Sequence, residues 1–318
     1  MKLGNLTPLP AELLRTAIDD QRIAAAVVAK ATFDVSSGEP RLADEQAWKV
    51  AREPLETEYG IVDPEQPCRR EGVDLFLFGN AYAAGGRKTI AQEVRLEIGT
   101  FSRRAAVIGD RVWRKSLGEL MASDAKPFES MPLTLAGAFG GSTFWDGLEL
   151  KHPENPGGKG FYGTLQEAVD QPLPNIEEAD MLVRRWDERP TPAGLTFCPM
   201  TSALRLSAAF QLDDSGAPVG LSRRLFNAAF PRMIAPAVSP GDPVRLQGVS
   251  PRGPLLWSVP KLRPTVRLRF DDERIEQPLQ IDQVGFEPDK QRMFVSYRFV
   301  FRYVIHPGQL RECELVIA

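Results

Sequence analysis

The feature that most constrains this chain is a thirteen-residue alternation, Met293 to Ile305. Met293, Val295, Tyr297, Phe299, Phe301, Tyr303 and Ile305 fall on one side; Ser296, Arg298 and Arg302 fall on the other. A period of two, carried by aromatic and β-branched residues, describes an extended strand with one face on a core and the other in solvent. Shorter runs repeat the pattern. In "TVRLRF", Val266, Leu268 and Phe270 alternate with Thr265, Arg267 and Arg269, and in "EVRLEIG", Val94, Leu96 and Ile98 alternate with Arg95 and Glu97. "DLFLFG", Asp74 to Gly79, is apolar without alternation, as in a strand buried on both faces. "DDSG" (213–216), "FDDER" (270–274) and "EPDKQ" (287–291) supply turn chemistry between strands, which also accounts for the pairs Asp213-Asp214 and Asp271-Asp272.

Helical patterns are few and short: "PAELLRTAID" from Pro10, "RKSLGELMA" from Arg114 and "SRRLFNAAF" from Ser222. The expected class is mainly β: antiparallel sheets in a sandwich or an irregular barrel, few short helices and a long Pro/Gly-rich central loop region. That region is defined by composition. Between Lys151 and Met200 lie seven prolines and five glycines. A long irregular stretch inside a compact domain is functional or joins two subdomains. The chain thus reads as one β-rich unit, 1–318, or as intimately packed subdomains 1–145 and 195–318 joined by 146–194. Phe161, Tyr162, Trp186 and Phe197 imply that the loop region is packed.

Within it, "NPGGKGFYG" (155–163) invites a nucleotide reading, since Gly158, Gly160 and Gly163 fit G-x-G-x-x-G. A Walker loop needs Gly where Pro153 stands and Ser or Thr where Gly160 stands. A dinucleotide site needs a strand before the glycines and a crossover helix after them, yet prolines precede the motif and Pro172 soon follows. The stretch is therefore a shaped loop, with no cofactor implied. Catalytic material is equally sparse. Of two histidines, His306 ends the longest strand, and His152 lies near Asp146 and Glu154 without metal-ligand spacing. No C-x-x-C, H-E-x-x-H or G-x-S-x-G occurs, and no carboxylate pair stands out for glycoside hydrolysis.

The net charge of −3, spread without basic runs, disfavours nucleic acid as a partner. No apolar stretch is long enough for a membrane span, and "IAAAVVA" (23–29) lacks the flanks of a secretory signal. Cys68, Cys198 and Cys313, odd in number and far apart, are expected as reduced thiols in the cytoplasm.

Several segments occur in a specific order: "LTPLPAELL" near the start, "GDRVWRK" (109–115), "MPLTLAGAFGG" (131–141), "NPGGKGF" (155–161), "LPNIE" (173–177), "FNAAFP" (226–231) and "GDPVRLQGVSPRGPLLWSVP" (241–260). The series resembles the bacterial family called domain of unknown function 2169 over nearly the whole chain. The resemblance implies a cytoplasmic adaptor or chaperone of type VI secretion that helps load an effector, often one with a PAAR-type tip domain, onto the spike. It implies no catalytic residues. Contact through a sheet edge or the central loop region fits such a role. The candidate partner-binding residues are Trp145, Lys159, Phe161, Tyr162 and Trp186. The rival expectation is a β-sandwich hydrolase or glycan-binding module with a cleft beside the central loop, for which a deep pocket with paired titratable groups would speak.

Overall fold

A computed structural model describes residues 1–116, 118–271, 273–306, 309 and 311–317. In chain order its principal strands are β1 (Ala11–Ala17), β2 (Arg22–Asp34), β3 (Val73–Leu77), β4 (Ala91–Ile98), β5 (Phe101–Ile108), β6 (Ser142–Trp145), β7 (Leu148–Lys151), β8 (Ile176–Glu178), β9 (Phe210–Leu212), β10 (Pro218–Leu221), β11 (Pro243–Gln247), β12 (Leu255–Ser258), β13 (Pro264–Phe270), β14 (Glu273–Pro278), β15 (Gln280–Glu287), β16 (Arg292–Val304) and β17 (Arg311–Ile317). A seven-stranded sheet runs β1-β2-β16-β15-β3 and ends on the short strand Ile234–Ala235, with Arg41–Leu42 pairing beside β2. A five-stranded sheet runs β8-β5-β4-β11-β12. A four-stranded sheet joins Leu3–Asn5 to β17, β13 and β14. The fold is mainly β, and among the described residues no sheet closes into a barrel. Most pairings are antiparallel, but β3 runs parallel to β15, and Leu3–Asn5 runs parallel to β17.

The long alternation forms β16, which pairs with β2 over thirteen residues. Large side chains of β16 meet small ones of β2, as where Phe301 faces Ala25. This complementarity gives the alanine-rich run of β2 a place in a strand despite its weak intrinsic preference. The odd-numbered face of β16 packs into the main core. There Trp257 of β12 meets Phe286 of β15 with ring centroids 6.1 Å apart, and Phe270 of β13 meets Tyr303 at 5.8 Å. One face of the large sheet is thus covered by the other two sheets.

The opposite face is not solvated along its inner half, and this corrects the half-buried expectation for β16. Ser296 and Arg298 are 0% and 5% exposed. Arg302, nearer the end, is exposed. Segments from the loops between strands close over this second face. Trp48 lies on Phe294 with centroids 4.3 Å apart and stacks on Phe78, while Phe197 packs against Phe76. Beside these rings lies a buried charge network. Glu65 binds Lys30 at 3.1 Å, Arg70 at 2.7 Å and also Arg298; Asp282 binds Arg70 and Arg298. Lys30 sits within β2, fully buried. β3 is buried at all five positions, Asp74 among them, as expected of a strand buried on both faces.

The helical expectations give way to tertiary pairing. "PAELLRTAID" forms the edge strand β1, with Leu13 and Leu14 both buried on opposite faces. "RKSLGELMA" forms a hairpin of Trp113–Ser116 with Glu119–Ala122, turning beside Gly118 at φ +91°; Leu117 lies outside the described residues. "SRRLFNAAF" contributes one 3-10 turn, Arg223–Phe226, where Ser222 Oγ accepts from Arg224 N. The turn at 213–216 joins β9 to β10, and that at 287–291 joins β15 to β16. Of the pair Asp271-Asp272, Asp272 lies outside the described residues.

Candidate functional site

The central loop is built around Asn155. This side chain is buried, and its Nδ2 donates to Leu135 O at 2.8 Å and Phe139 O at 3.0 Å. The backbone zips onto the same segment: Gly141 N donates to Asn155 O, Lys159 N to Ala138 O and Phe161 N to Gly140 O. Lys159–Gly160 then pairs in parallel with Phe139–Gly140. Gly158 is required by close approach, since a Cβ there would stand 2.4 Å from Asn155 Nδ2 and 2.6 Å from Ala138 O. Gly158, Gly160 and Gly163 thus serve close packing of the loop on its neighbours.

His152 is buried, with Phe139 and Phe161 edge-on at 5.1 and 5.2 Å. Its Nδ1 accepts from Asn155 N at 3.3 Å. Burial, aided by the Arg189 charge, pushes the imidazole below its ordinary range and keeps it neutral. A buried, neutral ring whose Nδ1 is engaged by backbone serves packing. Glu154, on the same loop, is pushed up by burial. Among the described residues no group of three or more His, Cys, Asp or Glu is placed to hold a metal ion.

The five sequence-derived candidates separate into two groups. Phe161, Tyr162 and Trp186 stay with the scaffold. Arg189 lies over the Phe161 ring at 5.1 Å and donates from Nη2 to Tyr162 O. Tyr162 is buried with Trp113, Ala168, Leu173 and Val183, and Trp186 packs against this cluster. The Tyr162 hydroxyl donates to Pro172 O at 2.7 Å, and burial pushes its pKa up to about 12. Lys159 is half-buried on its short strand. Trp145 stands apart, 64% exposed at the tip of the β6–β7 hairpin.

That hairpin carries exposed large apolar residues that sequence reading missed. Trp145 pairs with Leu148, and Thr143 with Leu150, so Trp145, Leu148 and Leu150 share one face. Phe144 points to the other face and is also exposed. Asp146 and Gly147 between them have φ of +48° and +77°, as a type I′ turn requires. The dipeptide Asp-Gly between apolar flanks was the legible signal for this hairpin. Its base is fixed: Thr143 Oγ1 donates to Glu167, and both side chains accept from Gly163 N at 2.9 Å. A second hairpin, β9–β10, exposes Phe210, Leu212, Val219 and Leu221. The short helix that leads into it, Ala203–Leu206, is tied to the central loop, because Ala203 N donates to Pro153 O and Ser202 Oγ to Glu154 O. The central loop is therefore the common foot of two apolar hairpins.

No curated protein and no solved structure matches the chain. The model of one family, domain of unknown function 2169, described as an uncharacterized protein conserved in bacteria, matches residues 20–298. This span holds β2, β3, β15 and the first part of β16, the central loop and both hairpins, and the chain belongs to that family.

Proposed function

We propose that this protein is a non-enzymatic adaptor or chaperone that holds a type VI secretion effector in the cytoplasm and aids its loading onto the spike. The observation that carries the reading is the β6–β7 hairpin, which presents Trp145 and Leu148 at 64% and 68% exposure on a foot fixed by Thr143 and Glu167. Soluble proteins rarely leave clustered large apolar side chains in water, and Trp is over-represented among residues that dominate binding energy. A rigid foot lowers the ordering cost of binding. The role that the family resemblance implies, recognition without chemistry, agrees with this surface. His152, the one histidine of the central loop, is engaged in packing.

The test is capture from the native cytoplasm by wild-type protein and by Trp145→Ser/Leu148→Ser, with captured proteins identified by mass spectrometry. The expected result is an effector or spike-tip protein retained by the wild type and lost from the variant at unchanged melting temperature. A wild type that captures neither, or a variant that retains the partner fully, would overturn the reading.

A further inference from the structure

β1 is an outer strand of the large sheet, and among the described residues no strand pairs with its other side. Two backbone bonds fix which groups face outward. Lys30 N donates to Pro10 O, and Ile18 N donates to Arg22 O. With Ala11 opposite Ala29, the even-numbered residues of β1 are the ones bonded to β2. Ala11, Leu13, Arg15 and Ala17 therefore aim their N–H and C=O away from the sheet. Long open edges of this kind are templates for another strand unless blunted. β14, the edge of the four-stranded sheet, is blunted by Glu273, Arg274, Glu276 and Pro278; β1 carries no proline.

A cleft of ≈ 620 Å³ runs along this edge, lined by every residue from Leu13 to Ala17. Tyr303, Ile305 and Arg311 wall it on one side, and Arg52 and Pro67 on the other. The charges along it are not balanced. Glu12 is paired with Arg52, and Glu65 with Lys30, Arg70 and Arg298. Among the described residues neither Arg15 nor Arg311 has an acidic partner, and Arg311 instead lies over the Tyr303 ring at 5.9 Å. The cleft thus offers, among the described residues, an unpaired strand edge, an apolar wall and two guanidinium groups without an acidic partner.

Resting on the adaptor reading above, we infer that β1 receives an extended, acidic segment of the partner protein as an added strand. Backbone hydrogen bonds to Leu13, Arg15 and Ala17 would supply register-independent affinity. Arg15 and Arg311 would select carboxylates by charge, speed encounter and make binding salt-sensitive.

The probe is an eight-residue peptide of alternating Glu and Val, acetylated, amidated and fluorescently labelled. Its companions are the same peptide with Lys for Glu, and one with alternate amides N-methylated. Full-length protein should bind the acidic peptide at least on the order of tenfold more tightly than either companion, by anisotropy. Hydrogen exchange at the Leu13, Arg15 and Ala17 amides should slow on binding. Arg15→Pro removes one outward donor without touching the ladder to β2 and should weaken binding on the order of tenfold; Arg15→Glu, which keeps the backbone, should do so by charge alone. Equal binding of the lysine peptide, absence of protection at these amides, or unaltered binding by both variants would overturn the inference. So would a concentration-dependent dimer in which the same amides are already protected, since the edge would then belong to a second copy. These readouts do not involve Trp145, so failure here with partner capture still sensitive to Trp145→Ser/Leu148→Ser sinks the edge inference and leaves the adaptor reading standing.

Discussion

Arg298 shows what one residue in the middle of a strand decides. Its buried guanidinium binds the buried carboxylates of Glu65 and Asp282 and donates to Gln66 O at 2.6 Å. Arg298→Ala would leave two carboxylates short of a cation and should cost about 3–5 kcal/mol. Arg298→Asp would set a third carboxylate beside them and should cost more. Arg302→Ala, two positions on along the same face but exposed, should stay within about 0.5 kcal/mol. Denaturant melts of the three variants check this, and similar losses at 298 and 302 would contradict it. The network also has a pH signature. Burial alone would raise the Glu65 carboxyl, but Arg70, Lys30 and Arg298 outweigh it and hold the group well below the usual carboxylate range. A folded-state pKa below the unfolded one gives stability that is present above the unfolded value of about 4.3 and is lost as pH falls through the folded value. Glu65→Gln should therefore lower stability at neutral pH and flatten its further loss below about pH 4.3. Asp74, pushed up by burial and sharing Arg70 with Glu65, contributes with the opposite sign. Urea melts across the acid range measure the slope, and equal slopes would mean that Glu65 titrates normally. The thiols make a separate test. Burial pushes Cys198 up to about 11 and Cys313 up to about 12, whereas Cys68 is only half-buried. A thiol reagent should modify Cys68 alone in the native protein and all three cysteines after denaturation without reductant; two or more rapid native modifications would contradict the burial.

Among the elements, the central loop and its hairpins separate stability from binding. Asn155→Ala would strip Leu135 O and Phe139 O of their shared donor and should destabilise by about 1–3 kcal/mol. Gly158→Ala should also destabilise, because the backbone oxygen at 2.6 Å from its Cβ cannot move as a side chain could. Gly147→Val should leave the melting temperature nearly unchanged, yet strain the turn at φ +77° and lower partner capture. Thermal melts alongside capture assays distinguish these elements, and a variant at 155 with native stability would contradict the packing of the loop. The strands were legible because alternation is written locally, as in β13 and β16. β1 was not, because "AELLRTA" has no alternation: Leu13 and Leu14 are adjacent and are buried on opposite faces only through tertiary covering. The burial of Arg298 was not legible either, because its partner Glu65 comes from a segment more than two hundred residues away. Of the candidate residues, Trp145 was singled out by its type and is exposed, but the exposure of its neighbours Leu148 and Leu150 needed the Asp146-Gly147 turn to be read as a hairpin.

At the scale of the molecule, the two ends of the chain build one sheet. β2 lies between β1 and β16, and β3 lies between β15 and Ile234–Ala235. β4 likewise pairs with β11 in the five-stranded sheet. The main core draws on residues from Leu9 to Leu315. Such pairings close very long loops before any contact stabilises them, so folding should be slow. They also leave little that can fold in pieces. A fragment of residues 1–145 would expose the β2 edge that meets β16, along with Ala25, Val27 and Ala29, which are buried in the whole chain. A fragment of residues 195–318 would expose Val295, Tyr297 and the aromatic face of β16 without the strand that covers its edge. Unpaired central edges with apolar faces aggregate. Each fragment expressed alone should therefore be insoluble or lack a cooperative melt, while the full chain melts in one transition. Far-UV circular dichroism and thermal melts of the three proteins test this. A 195–318 fragment that melts cooperatively as a monomer would show that the carboxyl-terminal strands hold a core of their own, and that β2 joins a sheet already formed.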